Sequence, residues 1–132
     1  MSYEGKVQLT GLIVVTPDQV AEGDRLFAGH AEWMSKTHHR SGPKALLAYT
    51  VAKQPEIVDG EPTGNTVFTL TEIYETAAGP EDHLKQAGES WDDWISGKFQ
   101  NWMASGVNSI TAISSPIVRS DRKSTRLNSS HW

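Results

Sequence analysis

The chain has 132 residues, 37% of them hydrophobic, no cysteine and a formal net charge of −4. This is the length of one domain with material for one core, and the lack of thiols excludes disulfides, thiolate catalysis and cysteine-ligated zinc. The acidic balance argues against a phosphate-backbone partner, and no apolar run suits a bilayer span or a secretory leader, so the expectation is a cytoplasmic protein with no nucleic-acid and no membrane partner.

Residues 6–15 are rich in β-branched side chains and read as a first strand, with Val7, Leu9, Ile13 and Val15 on one face. Gly11 between them marks a bulge or a close backbone approach. Thr16-Pro17-Asp18-Gln19 is a helix start: Thr16 can cap, Pro17 suits the first helical position and Gln19 can close a capping box. The first helix is expected to run to about His39, with Val20, Gly23, Phe27, Ala31 and Met34 forming its apolar stripe and His30 at the border. Lys36, His38, His39 and Arg40 put positive charge at the negative end of the helix dipole, and Gly42-Pro43 stops the helix. His30, His38 and His39 also raise a metal reading. On a helix His30 and His38 stand about two turns apart, so end-capping charge is the preferred account and no metal is assigned.

Residues 44–53 read as a second strand, followed by a long polar hairpin loop from Gln54 to Asn65. The third strand begins at Thr66. Its alternation sets Phe68, Leu70, Glu72 and Tyr74 on one face and Val67, Thr69, Thr71 and Ile73 on the other. Ala78-Gly79-Pro80 turns the chain into a second helix with His83 in its first turn. Gly88 is expected to break or bend that helix, Ser90 to cap a further segment from Trp91 to about Ala104, and Val107–Ile113 to form the fourth strand.

Residues 121–131, Asp-Arg-Lys-Ser-Thr-Arg-Leu-Asn-Ser-Ser-His, resemble the translation of a common sequencing-adapter read, with Trp132 following from index bases. Residues 1–120 are therefore taken as the domain and 121–132 as an artefactual or disordered tail that leaves the native terminus undefined. Arg122, Lys123 and Arg126 against Asp121 give that tail +2, which leaves the domain at −6.

The order β-α-β-β-α-β predicts an α+β, ferredoxin-like domain: a four-stranded antiparallel sheet with both helices on one face. The other face, carrying either the Phe68 set or its alternate, has no third layer to cover it, and a second copy of the chain is the simplest cover. The chemistry gathers around the third strand. Glu72 can hold a substrate hydroxyl or orient an imidazole, His83 can act as general acid–base, and Tyr74 can line a pocket. The structural alternatives are a surface His83, a Glu72 paired with a basic residue on the next strand, and tryptophans that only pack the core or a dimer interface.

The strand ending Glu72-Ile-Tyr74, the turn Glu-Thr-Ala-Ala and a histidine nine residues after the tyrosine resemble the antibiotic-biosynthesis-monooxygenase-like (ABM) family of dimeric α/β barrels. The resemblance extends to the element order over residues 6–118. Ser41-Gly42-Pro43-Lys44, the long 54–65 segment and the Trp91-Asp-Asp-Trp94 turn depart from the family pattern. Its members include cofactor-independent oxygenases of aromatic or quinol-type substrates, heme-degrading enzymes and isomerases of small sugar derivatives. The resemblance implies a homodimer with a small-molecule pocket between helices and sheet. It implies a cofactor-free monooxygenase or isomerase of an aromatic, quinol-type or enolisable substrate. His83 and Glu72 are then the catalytic residues, Tyr74, Phe68 and Trp91 bind substrate, and there is no metal and no cofactor. A non-catalytic ligand-binding or structural dimer is the alternative. The heme-degrading reading is weakened because no histidine lies between His83 and His131.

Overall fold

The computed structural model describes residues 2–120; the adapter-like segment 121–132 lies outside the described residues. The elements are β1 (Val7–Val15), α1 (Val20–Thr37), β2 (Leu46–Val58), β3 (Glu61–Tyr74), α2 (Ala78–Ser90), two short helices α3 (Asp92–Ile95) and α4 (Lys98–Ala104), and β4 (Ile110–Pro116). The four strands form one antiparallel sheet in the order β2-β3-β1-β4. The domain is thus α+β and compatible with a ferredoxin-like fold. No described helix is long and apolar enough to cross a membrane.

Register explains which face is inside. Leu9 stands opposite Glu72, Ile13 opposite Phe68 and Val7 opposite Tyr74, and all six are buried together. The Phe68-Leu70-Glu72-Tyr74 set therefore faces the helices, and the Val67-Thr69-Thr71-Ile73 set lies on the opposite face, where Val67 and Ile73 are nevertheless buried. Leu26, Phe27, Trp33 and Met34 of α1 join Trp91, Phe99 and Trp102 over the inner set in one core. Burial of each such large side chain stabilises the fold by about 1.5–3 kcal/mol. Gly23 is what lets α1 come so close: a Cβ there would stand 2.6 Å from Trp102 and 2.7 Å from Phe68.

Several boundaries differ from expectation. Pro17–Gln19 is a 3-10 turn, and Thr16 does not cap it, because its hydroxyl is held by Asp18. The buried stripe of α1 runs through Leu26, His30 and Trp33 as well as Phe27 and Met34, not through Ala31. The expected long loop 54–65 is strand almost throughout. The hairpin turns at Asp59-Gly60, both at positive φ (52° and 80°), as a two-residue turn matched to strand twist requires. Pro55 is tolerated because β2 is a sheet edge and the register shifts there. Helix α2 passes through Gly88 and ends at Ser90, while the break after α3 falls at Gly97, at φ 82°. Gly11 sits at the β1–β4 register shift between Thr10 and Leu12. The fourth strand starts three residues later than read, at Ile110.

Candidate functional site

Strand alternation brings Glu72 and Tyr74 to the inner face of β3, and α2 lays His83 over them. Glu72 and Tyr74 are fully buried. The Tyr74 hydroxyl donates to Glu72 Oε1 at 2.5 Å, and His83 Nε2 stands 3.8 Å from the same oxygen. The three residues singled out around the Glu-x-Tyr strand therefore do meet.

They meet two histidines from α1 as well. His30, 2% exposed, sits one turn after Leu26 and one turn before Trp33 and Met34, inside the apolar stripe. Its Nε2 is 3.8 Å from Glu72 Oε2, and its Nδ1 is 2.7 Å from the hydroxyl of Tyr49. Tyr49 stands opposite Glu72 on β2. His38 follows the last turn of α1 with an extended backbone, and its Nε2 lies 2.7 Å from His83 Nδ1. Because His38 is buried, it supplies no charge to the helix end. That role falls to Lys36 in the last turn and to Arg40, which donates to the Ser35 carbonyl. His39 is exposed and lies 3.6 Å from Asp82.

Burial sets the protonation. It pushes His30 and His83 down to about 3, with repulsion from His38 and, for His30, from His83 adding to it. It pushes His38 down to about 4, against the opposing pull of Asp82. It pushes Glu72 up to about 7, partly offset by the Tyr74 hydrogen bond. Tyr74 and Tyr49 are both raised, first by burial and then by the Glu72 charge. An imidazolium–carboxylate pair at 3.8 Å would need both groups charged without water, and the desolvation cost of two buried ions favours the neutral forms.

Neutral rings fix the tautomers. The Thr37 hydroxyl donates to the Trp33 carbonyl at 2.8 Å, so it accepts from His38 Nδ1 at 2.9 Å. His38 Nε2 is then a lone pair and accepts from His83 Nδ1. His83 Nε2 is consequently also a lone pair, and it points toward a carboxylate. Glu72 Oε2, on the His30 side, is buried with no hydrogen-bond partner among the described residues. A proton donor or a cation is what this arrangement calls for.

Above the rings lies a cavity of about 190 Å³ lined by His30 and His83 together with Leu70, Trp91, Trp94 and Phe99. His30 and Trp91 pack at 4.7 Å between ring centroids, and Trp33 stacks on Trp91 at 5.6 Å. The Trp33 indole donates to Ser90 Oγ at 2.9 Å, which ties the end of α2 to α1. A groove of about 280 Å³ along Gly29, Trp33, Lys36 and Asp93 is larger, but it is wide open and does not reach the buried cluster. Of the residues expected to bind substrate, Trp91 lines the cavity. Tyr74 lies beneath it, engaged with Glu72. Phe68 is placed elsewhere in the core, 5.7 Å from Phe27 and 5.2 Å from Trp102.

His30 and His38 were weighed as metal ligands and set aside for helix-end charge, and Tyr49 was not singled out. The available signal for His30 was its spacing from Leu26 and Trp33. An imidazole in the middle of an apolar helical stripe is buried and needs a partner. Comparison with family models, with curated proteins and with solved structures gives no match.

Proposed function

We propose that the chain is a small-molecule enzyme of the ABM-like kind, acting on an aromatic, quinol-type or enolisable substrate in the His30–His83 cavity. The observation that carries this reading is the cavity itself. Its walls are aromatic and aliphatic, and its floor carries two buried neutral imidazoles. Walls of that kind take a planar apolar ligand, and convergent polar groups at the floor orient its oxygen. His83 is held from behind by His38 and Thr37, so its free Nε2, directed toward Glu72 at the base of the cavity, is a pre-oriented proton acceptor. Removing a hydroxyl proton from a hydroquinone makes the ring electron-rich enough to react with dioxygen. Removing a proton next to a carbonyl begins an isomerisation. Glu72 lies 3.8 Å below the ring, and in its ionised form it offsets part of the burial cost of a transient imidazolium.

The dimeric barrel belongs to the same proposal. Leu12 stands opposite Ile110 across the β1–β4 pair, and Ile110 and Ile113 are 53% and 50% exposed. A second copy of the chain covers this open sheet face.

The test is turnover and binding of a hydroquinone and enolisable-ketone panel by wild type and His83→Ala. The expected result is a fall in kcat on the order of a hundredfold or more with a much smaller change in Kd. Binding without turnover in the wild type would instead assign the cavity to a non-catalytic ligand-binding dimer.

A further inference from the structure

We propose that His30 Nε2, His83 Nε2 and the Glu72 carboxylate form a three-ligand site for a divalent first-row transition cation, open toward the aromatic-walled cavity. Their ligand atoms all lie within 4.8 Å of one another, and each imidazole nitrogen is 3.8 Å from a different Glu72 oxygen. Around a cation bound at about 2.0–2.2 Å, neighbouring ligand atoms stand roughly 3–3.5 Å apart. The widest separation, up to 4.8 Å, therefore needs to close by roughly 1–2 Å through side-chain rotation.

Three further observations point to a cation. Glu72 Oε2 is fully buried and lacks a hydrogen-bond partner among the described residues. The hydrogen-bond chain from Trp33 through Thr37 and His38 leaves His83 Nε2 as a lone pair facing that carboxylate. The ionised form of Glu72 and the His83 lone pair repel, and a cation between them relieves that repulsion as a proton on Glu72 does in its absence. Each ligand also has an outer partner of the kind that orients metal ligands: Tyr49 behind His30, His38 behind His83 and Tyr74 behind Glu72.

The donor set narrows the metal. Two imidazoles and a carboxylate without thiolate suit zinc as a catalytic three-ligand site, or ferrous iron as a facial triad with open positions. Because His30 and His83 both line the cavity, the open positions face it, and a ligand oxygen there completes the shell. The site shares its pocket with the function proposed above and rests on that reading only for what fills the open position; in the cation-loaded form His83 Nε2 is a ligand, and the base role given to it above belongs to the metal-free form.

The test uses the full chain after chelator treatment and dialysis, titrated with cobalt(II) by visible absorption and with zinc by calorimetry. One equivalent per chain should bind, with visible bands of nitrogen–oxygen coordination and a raised melting temperature. Glu72→Gln keeps the shape and removes the charge, and should weaken binding by a hundredfold or more. Tyr49→Phe should weaken it by about tenfold while circular dichroism stays unchanged. His39→Ala, at the exposed histidine, should bind as wild type. Absence of a one-equivalent binding event at micromolar metal, or equal affinity in wild type and Glu72→Gln, overturns the proposal. Metal binding without turnover leaves the site standing and removes the enzyme reading; turnover by chelated protein that binds no metal does the reverse.

Discussion

Glu72 is the residue on which the others depend. It is a fully buried carboxylate, and among the described residues its one hydrogen bond comes from the Tyr74 hydroxyl. Tyr74→Phe removes that bond, keeps the ring in the core and leaves both Glu72 oxygens unpaired. The expected loss is about 1–3 kcal/mol of unfolding free energy, read by urea denaturation of the metal-free protein; unchanged stability would mean that the hydroxyl does not hold the carboxylate. Glu72, Tyr74 and His83 were legible in the sequence because their proximity is local. Two of them are two apart on a strand, and the third follows one turn later. His30, His38 and Tyr49 were not, since they arrive from α1 and β2, and only tertiary packing decides that those elements meet β3 at Glu72. Charge intuition added to the miss. A histidine near a helix end was read as a cation for the dipole, whereas burial keeps His38 neutral.

Elements differ in how fully the sequence specifies them. Period-two alternation separated the two faces of β3 but left open which one is inside, which the register with buried Leu9 and Ile13 decides, and β-branched content found β1. The hairpin was misjudged because Pro55, Pro62 and Gly64 read as strand breakers, while the Asp59-Gly60 pair between them is the stronger hairpin signal. An edge strand needs half of its backbone donors free, so a proline there costs little. Helix α1 was found in place, but its stripe was drawn through Ala31 and missed the row Leu26-His30-Trp33. That shift of one position conceals the imidazole from the core. Gly88 did not end α2 because a glycine penalty of about 1 kcal/mol is small beside the packing of Ala87 and Trp91, both buried in the core. The chain breaks instead where Trp91 takes an extended backbone and turns its ring over His30.

At the scale of the whole molecule, helices cover one sheet face, and the other presents Leu12, Ile110 and Ile113. A homodimer through that face predicts a sedimentation mass twice that of the chain at micromolar concentration, and Ile113→Glu should shift it toward the monomer. A wild type that stays monomeric would rule out the dimeric barrel. The inner face gathers α1, β2, β3 and α2 onto one buried cluster, and the central claim is that this cluster presents a free imidazole lone pair to whatever it binds. Histidine side-chain 15N shifts of the metal-free protein at pH 7 test that claim most directly. His38 and His83 should both be neutral with the proton on Nδ1. An imidazolium, or a proton on Nε2 of His83, would contradict it, because the ring could then neither accept a proton nor ligate a cation from the cavity floor.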